Sequence, residues 1–134
     1  MTLTPERADS LAAALYDARL SRVPIPPLTE ADPDLTLADG YAVQQGVVRR
    51  YLDAGDRIIG YKLGLTSKPM QQMLNVPTPD FAPVMASHVI TDGAAVAIGD
   101  YIAPRLEAEI ALVLGADLEG PDCTALDVLR ATEG

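Results

Sequence analysis

Apolar positions follow one rhythm near the start of this chain and another further on. Ala8, Leu11, Ala12, Leu15 and Ala18 recur at helical spacing, which predicts a helix over residues 4–20, TPERADSLAAALYDARL. Thr4 can cap it and Pro5 suits its first turn. Pro24, Pro26, Pro27 and Pro33 forbid a helix through residues 23–34, VPIPPLTEADPD, which read as an extended linker or arm. A second helix is predicted over residues 37–53, LADGYAVQQGVVRRYLD, with Thr36 and Asp39 forming a capping box at its start. Tyr41, Gln45, Val48 and Leu52 make one stripe along it, with Ala38 and Ala42 beside them. Gly40 and Gly46 each cost this helix about 1 kcal/mol against alanine, and Gly55 marks its stop.

Beyond residue 56 the period shortens. RIIGYKLG, residues 57–64, predicts a strand that becomes irregular at its glycines, and Ser67 can cap a short helix over KPMQQMLNV. VPTPDFAPV, residues 76–84, reads as a loop stiffened by Pro77, Pro79 and Pro83. HVI and AAVAI flank Thr91-Asp92-Gly93, the pattern of a hairpin. LEAEIALVL, residues 106–114, is the strongest strand pattern in the chain, apolar on both faces beyond its acids, as in a strand buried on both sides. Thr124 with Asp127 opens a last helix, ALDVLRAT. Helices first and strands after them place the chain in the α+β class.

Length and composition narrow the function. With 134 residues, one domain, or one domain plus a helical appendage, is the expectation. A formal charge of −9 argues against nucleic acid and against an anionic membrane surface, and leaves a small molecule or a cation as partner. A single cysteine, Cys123, rules out an internal disulfide and suits a reducing cytoplasm. With one histidine in the chain, a Cys/His nucleophile has little support. No apolar run approaches the ~20 residues of a membrane span.

Three places carry candidate chemistry. Glu107 and Glu109 are two apart, so in a strand they share a face with their Cα atoms about 7 Å apart. At the border of a buried region they need a counter-charge. Arg105 has the right parity to reach Glu107 but can hardly serve both, whereas a divalent ion, Mg2+ or Mn2+, takes hard carboxylate oxygens. Two solvated acids at a strand's start fit the same pattern. Lys62 lies between Tyr61 and Leu63, flanked by Gly60 and Gly64; in an apolar cleft it can serve as an acid or base, and otherwise it is a strand lysine with a wet tip. Thr66 and Ser67 offer hydroxyls at a helix start, a site for an anion or a plain cap. Asp80, beside Pro79 and the only phenylalanine, is either an aimed carboxylate or a turn-stabilising one. His88 reads as a strand residue rather than a ligand. No P-loop, G-x-G-x-x-G or G-x-S-x-G is present.

GYKLGLTSKPMQQMLNV, then PDF, then PRLEAEIALVL, then LEGPDCTALDVLRATEG, in this order, resemble the 2-keto-4-pentenoate hydratases, also called 2-hydroxypenta-2,4-dienoate hydratases, of the fumarylacetoacetate hydrolase superfamily. The resemblance covers essentially the whole chain and is strongest over residues 41–134. It implies metal-ligand glutamates at Glu107 and Glu109, an active-site lysine at Lys62 and the P-D-F aspartate at Asp80, with Thr66 and Ser67 on the substrate carboxylate. It implies a helical region over residues 1–56 with a Pro-rich arm at 23–33, and the first part of a mixed β-roll catalytic domain over 57–134. Family members continue past the A-T-E-G segment to a third ligand glutamate, and this chain stops at Gly134, so a fragment with an incomplete metal site is expected.

The implied reaction is addition of water to 2-hydroxypenta-2,4-dienoate to give 4-hydroxy-2-oxopentanoate, in aromatic meta-cleavage catabolism. The implied assembly is a homo-oligomer of the full-length protein. Two alternatives remain open at this point. One is a 4-oxalocrotonate (2-oxo-3-hexenedioate) decarboxylase of the same superfamily, against which the P-D-F wording tilts. The other is a non-catalytic acidic module.

Overall fold

A computed structural model describes residues 3–134. They form two compact units, one ending at Ala103 and the other spanning Pro104–Gly134.

In the first unit, α1 (Pro5–Ser21) starts where Thr4 Oγ1 accepts the amide of Arg7, with proline in the first turn. One helical turn, α2 (Leu28–Ala31), interrupts the proline-rich stretch, which is otherwise non-helical as expected. Helix α3 (Leu37–Asp53) opens on a complete capping box: Thr36 Oγ1 accepts from Asp39 N at 3.2 Å and Asp39 Oδ2 accepts from Thr36 N at 2.9 Å. The Thr36 hydroxyl, donating to Asp39 Oδ2 at 2.6 Å, and then the Thr36 amide hold the Asp39 carboxyl below the usual carboxylate range.

Helices α1 and α3 pack on Leu11, Ala12 and Val43, with Leu15, Leu28, Leu35 and Val47 around them. The buried face of α3 is therefore Asp39, Val43 and Gly46, not the expected stripe: Ala38, Ala42, Gln45 and Leu52 are exposed. Close approach of the two helices decides this. A Cβ on residue 46 would stand 2.6 Å from the Cβ of Ala12, so only glycine lets the helices meet there. The seam is edged by Arg50, which donates to both carboxylate oxygens of Asp9, at 2.9 and 3.0 Å. Gly46→Ala is expected to lose about 1–2 kcal/mol, because overpacking outweighs the gain in helix propensity. Gly40→Ala, where a Cβ meets nothing within 4 Å, should gain up to about 1 kcal/mol. Urea midpoints of the two variants should move in opposite directions.

Strand β1 (Ile58–Gly64) leads through a tight turn into α4 (Lys68–Leu74), capped by Ser67 Oγ accepting from Met70 N. Leu65 in that turn sits at φ 53°, and the buried Gln71 side chain donates to its carbonyl at 2.6 Å. The chain returns as β2 (Asp80–Met85), antiparallel to β1 with Gly64 opposite Asp80 and Lys62 opposite Ala82. Residues 80–84, expected as loop, are thus strand. Proline is tolerated in an edge strand, and in a two-stranded sheet each strand is an edge.

The hairpin expected around Thr91-Asp92-Gly93 does not form. The turn is there, with Ala94 N bonded to Thr91 O and Gly93 at φ 77°, but no strands flank it. His88 ends a 3-10 turn, Ala86–His88, rather than opening a strand, and Val89, Ile90 and Val96 are exposed. A two-stranded hairpin with nothing to pack on is marginal at best.

In the second unit, α5 (Ala125–Ala131) is opened by the expected Thr124/Asp127 capping box. The stretch 106–114 is not a strand. Only its end is paired, through a Leu114–Thr132 bridge and the bonds Val113 N to Gly134 O and Glu133 N to Val113 O. Residues 106–112 have no ladder partner among the described residues, and Leu106 and Ile110 are 101% and 94% exposed. A strand pattern supplies alternating faces but cannot supply the neighbouring backbone that a ladder needs. No helix among the described residues is long and apolar enough to cross a membrane.

Candidate functional site

The β1–β2 register brings Lys62 and Asp80 to one face of the sheet. Asp80 stands opposite Gly64, and Lys62 lies two residues along β1 from Gly64 on the same face, so the two are diagonal neighbours. They border a cleft of about 320 Å3 whose other wall is α3, through Leu37, Gly40, Tyr41 and Gln44. Those four follow the i, i+3, i+4, i+7 spacing of one helix face, turned away from the α1 seam.

Gly64 has a steric role here. The Asp80 carboxylate lies over it, with Cγ 3.0 Å from where a Cβ on residue 64 would stand. Any side chain at 64 would push that carboxylate aside. The next residue is held by α3: Gln44 Nε2 donates to the Phe81 carbonyl at 3.1 Å, Tyr41 Oη accepts from Phe81 N at 3.4 Å, and the two rings stack at 5.1 Å.

Lys62 is exposed, as are its neighbours Tyr61 and Leu63, so of the two readings the strand lysine with a wet tip is the one met here. No ion pair within 4.0 Å links Lys62 to Asp80 among the described residues. Thr66 and Ser67 sit exposed in the β1–α4 turn, and the Ser67 oxygen serves as the helix cap.

Glu107 and Glu109 belong to the second unit and are both exposed. Arg105 pairs with neither, and among the described residues no cation lies within 4.0 Å of them. Burial therefore does not demand a counter-ion, contrary to the expectation of a strand buried on both sides. Their chemistry still fits a hard divalent cation: two ionisable oxygen donors committed to nothing else. No group of three or more metal-binding side chains forms among the described residues. Cys123 is exposed and its thiol donates to the Glu119 carbonyl at 3.0 Å.

A second cleft of the first unit, about 260 Å3, holds the only histidine. The His88 ring meets Tyr51 edge-on at 5.1 Å, and Arg19 lies over Tyr101. Partial burial of the imidazole, helped by the Arg19 charge and opposed by Asp56, holds His88 below its ordinary value of about 6.5. Burial raises Tyr51. Asp56 accepts from the Ser87 hydroxyl at 2.6 Å and is lowered by that bond.

The sign of the pH effect follows. Below about 6.5 the unfolded chain takes up a proton that folded His88 resists, so stability falls with pH from there to the folded value. Asp9, Asp39, Asp56 and Asp127, all lowered, add a separate loss below the ordinary carboxylate range. His88→Phe should flatten the urea midpoint between pH 7.5 and 5.5 and leave the acid limb in place.

The sequence pointed to Lys62, Asp80 and the flanking Gly64, but not to Gln44 on the facing helix. Tyr41 and Gln44 at i, i+3 on one helix face was the available signal.

No family model matches the chain. It is 46% identical over 121 residues to 2-hydroxyhexa-2,4-dienoate hydratase of Comamonas testosteroni, covering 89% of this chain and 46% of that protein. It is 42% identical to 2-hydroxypent-2,4-dienoate hydratase of Pseudomonas putida, covering 93% of this chain and 57% of that protein. Among solved structures it resembles 4-oxalocrotonate decarboxylase from Pseudomonas putida G7, complexed with magnesium and adipate: the TM-score is 0.92 and the identity 37%, over 98% of this chain and 50% of that one. The chain thus spans about half the length of the curated relatives it matches. The likeness runs along nearly the whole of this chain and about half of each relative, and the relatives it reaches are named 2-hydroxydienoate and 2-keto-4-pentenoate hydratases, beside a decarboxylase of known structure.

Proposed function

We propose that the complete protein is a divalent-metal-dependent hydratase that adds water to 2-hydroxypenta-2,4-dienoate, giving 4-hydroxy-2-oxopentanoate. The observation that carries this reading is the placement of Lys62 and Asp80 together on one cleft wall. The reaction needs two proton transfers: one leaves the C2 enol oxygen as one arrives at C5, and one leaves the attacking water as its oxygen bonds to C4 and one arrives at C3. Lys62 and Asp80 divide these transfers between them. Thr66 and Ser67 bind the substrate carboxylate through their hydroxyls. Glu107 and Glu109 would hold the metal ion, which when bound is a Lewis acid stabilising negative charge on substrate oxygens. Residues 57–134 then form the first part of the catalytic β-roll. A reducing cytoplasm suits the free thiol of Cys123.

The solved decarboxylase supports a second reading, release of CO2 from 4-oxalocrotonate. The complete gene product, loaded with Mg2+, should be offered both substrates. Formation of 4-hydroxy-2-oxopentanoate without CO2 release supports the hydratase. Decarboxylation without hydration replaces it.

A further inference from the structure

We infer that α3 takes part in the reaction through Gln44 and Tyr41, positioning residues that set the direction of the Asp80 carboxylate by fixing the backbone of Phe81. The inference rests on the reading of Asp80 as a proton-transfer group. Asp80 is the first residue of β2, entered from the stretch between Asn75 and Asp80, and its side chain makes no hydrogen bond among the described residues. Nothing bonded to the carboxylate aims it. Two features do so indirectly. The bare backbone of Gly64 gives the carboxylate its seat. On the far side, α3 grips both polar groups of Phe81: Gln44 Nε2 donates to its carbonyl and Tyr41 Oη accepts from its amide, while the Tyr41 ring lies 27° from parallel to the Phe81 ring.

A terminal strand residue frays unless something outside the ladder holds it. Here the holding groups come from a helix whose opposite face is anchored at the α1 seam through Val43 and Gly46. The carboxylate is thereby referenced to the first unit's core rather than to an edge strand alone. The two bonds differ in strength. At 3.1 Å the Gln44 bond is of ordinary length, and at 3.4 Å the Tyr41 bond is weak, so Gln44 carries more of the effect.

The test uses the complete protein with Mg2+ and the dienoate substrate. Gln44→Leu keeps a side chain of similar bulk and removes the donor. It should lower kcat about 10- to 100-fold, the scale of a misplacement near 1 Å, with KM changed by less than about three-fold. Tyr41→Phe keeps the stack and should cost about three-fold or less. In an Asp80→Asn background, Gln44→Leu should add nothing beyond about two-fold, since its effect runs through the carboxylate. A crystal structure of Gln44→Leu should show the Asp80 carboxylate displaced from its seat on Gly64. Should Gln44→Leu fail to fold, Gln44→Glu has the same size without the donor and should show the same loss.

Multiplicative losses in the Asp80→Asn background would overturn the positioning role, as would an unchanged rate for Gln44→Leu beside a crippled Asp80→Asn; both leave the hydratase reading standing. An unchanged rate for Asp80→Asn removes the role of Asp80 itself, and the positioning role with it.

Discussion

Asp80→Asn and Lys62→Met should each lower kcat of the complete, Mg2+-loaded protein by about 10²- to 10⁴-fold, the scale of a lost general acid or base. Both side chains are exposed, and no ion pair joins them to the fold among the described residues. Surface substitutions of this kind shift stability by less than about 0.5 kcal/mol. Thermal midpoints should therefore hold while the rate collapses, which separates lost chemistry from lost structure. The two variants should also differ in pH profile, because each deletes a different limb if the groups divide the two transfers. Full activity in either variant would remove that residue from the mechanism.

Glu107→Gln combined with Glu109→Gln should weaken Mg2+ binding by about 100-fold or more, measured by calorimetric titration of the complete protein. Amides keep the shape and remove the charge on which a hard cation depends. The same double variant should leave the metal-free protein as stable as wild type, because both acids are exposed and carry no load in the described structure. Unchanged metal affinity would return these glutamates to the role of surface charges. The acidic-module reading would then be the one left.

The local signals that proved legible all lie within a few residues of their effect. Thr4 with Pro5, Thr36 with Asp39, Ser67, and Thr124 with Asp127 each mark a helix start, and each cap is present. A cap is a bond between a side chain and an amide three residues away, so the sequence contains both partners. Lys62 and Asp80 stood out as candidates for a similar reason: glycines and a proline constrain their immediate backbone. The residues that missed were those whose state depends on a distant partner. Pro83 suggested a loop and lies in a strand. LEAEIALVL suggested a buried strand and lies exposed and mostly unpaired.

Order along the chain carried the α+β class, most of the helix starts and, through motif wording, the resemblance to a family with its candidate residues, because propensity, capping and motif wording are local properties. Tertiary contact decided the rest. The Gly64–Asp80 register set Lys62 and Asp80 on one cleft wall, and the approach of Gly46 to Ala12 chose which side of α3 is buried and so turned Tyr41 and Gln44 toward that cleft. Neither can be read along the chain, since a ladder and a helix seam exist only where a second backbone comes within reach to complete the hydrogen bonds or the packing.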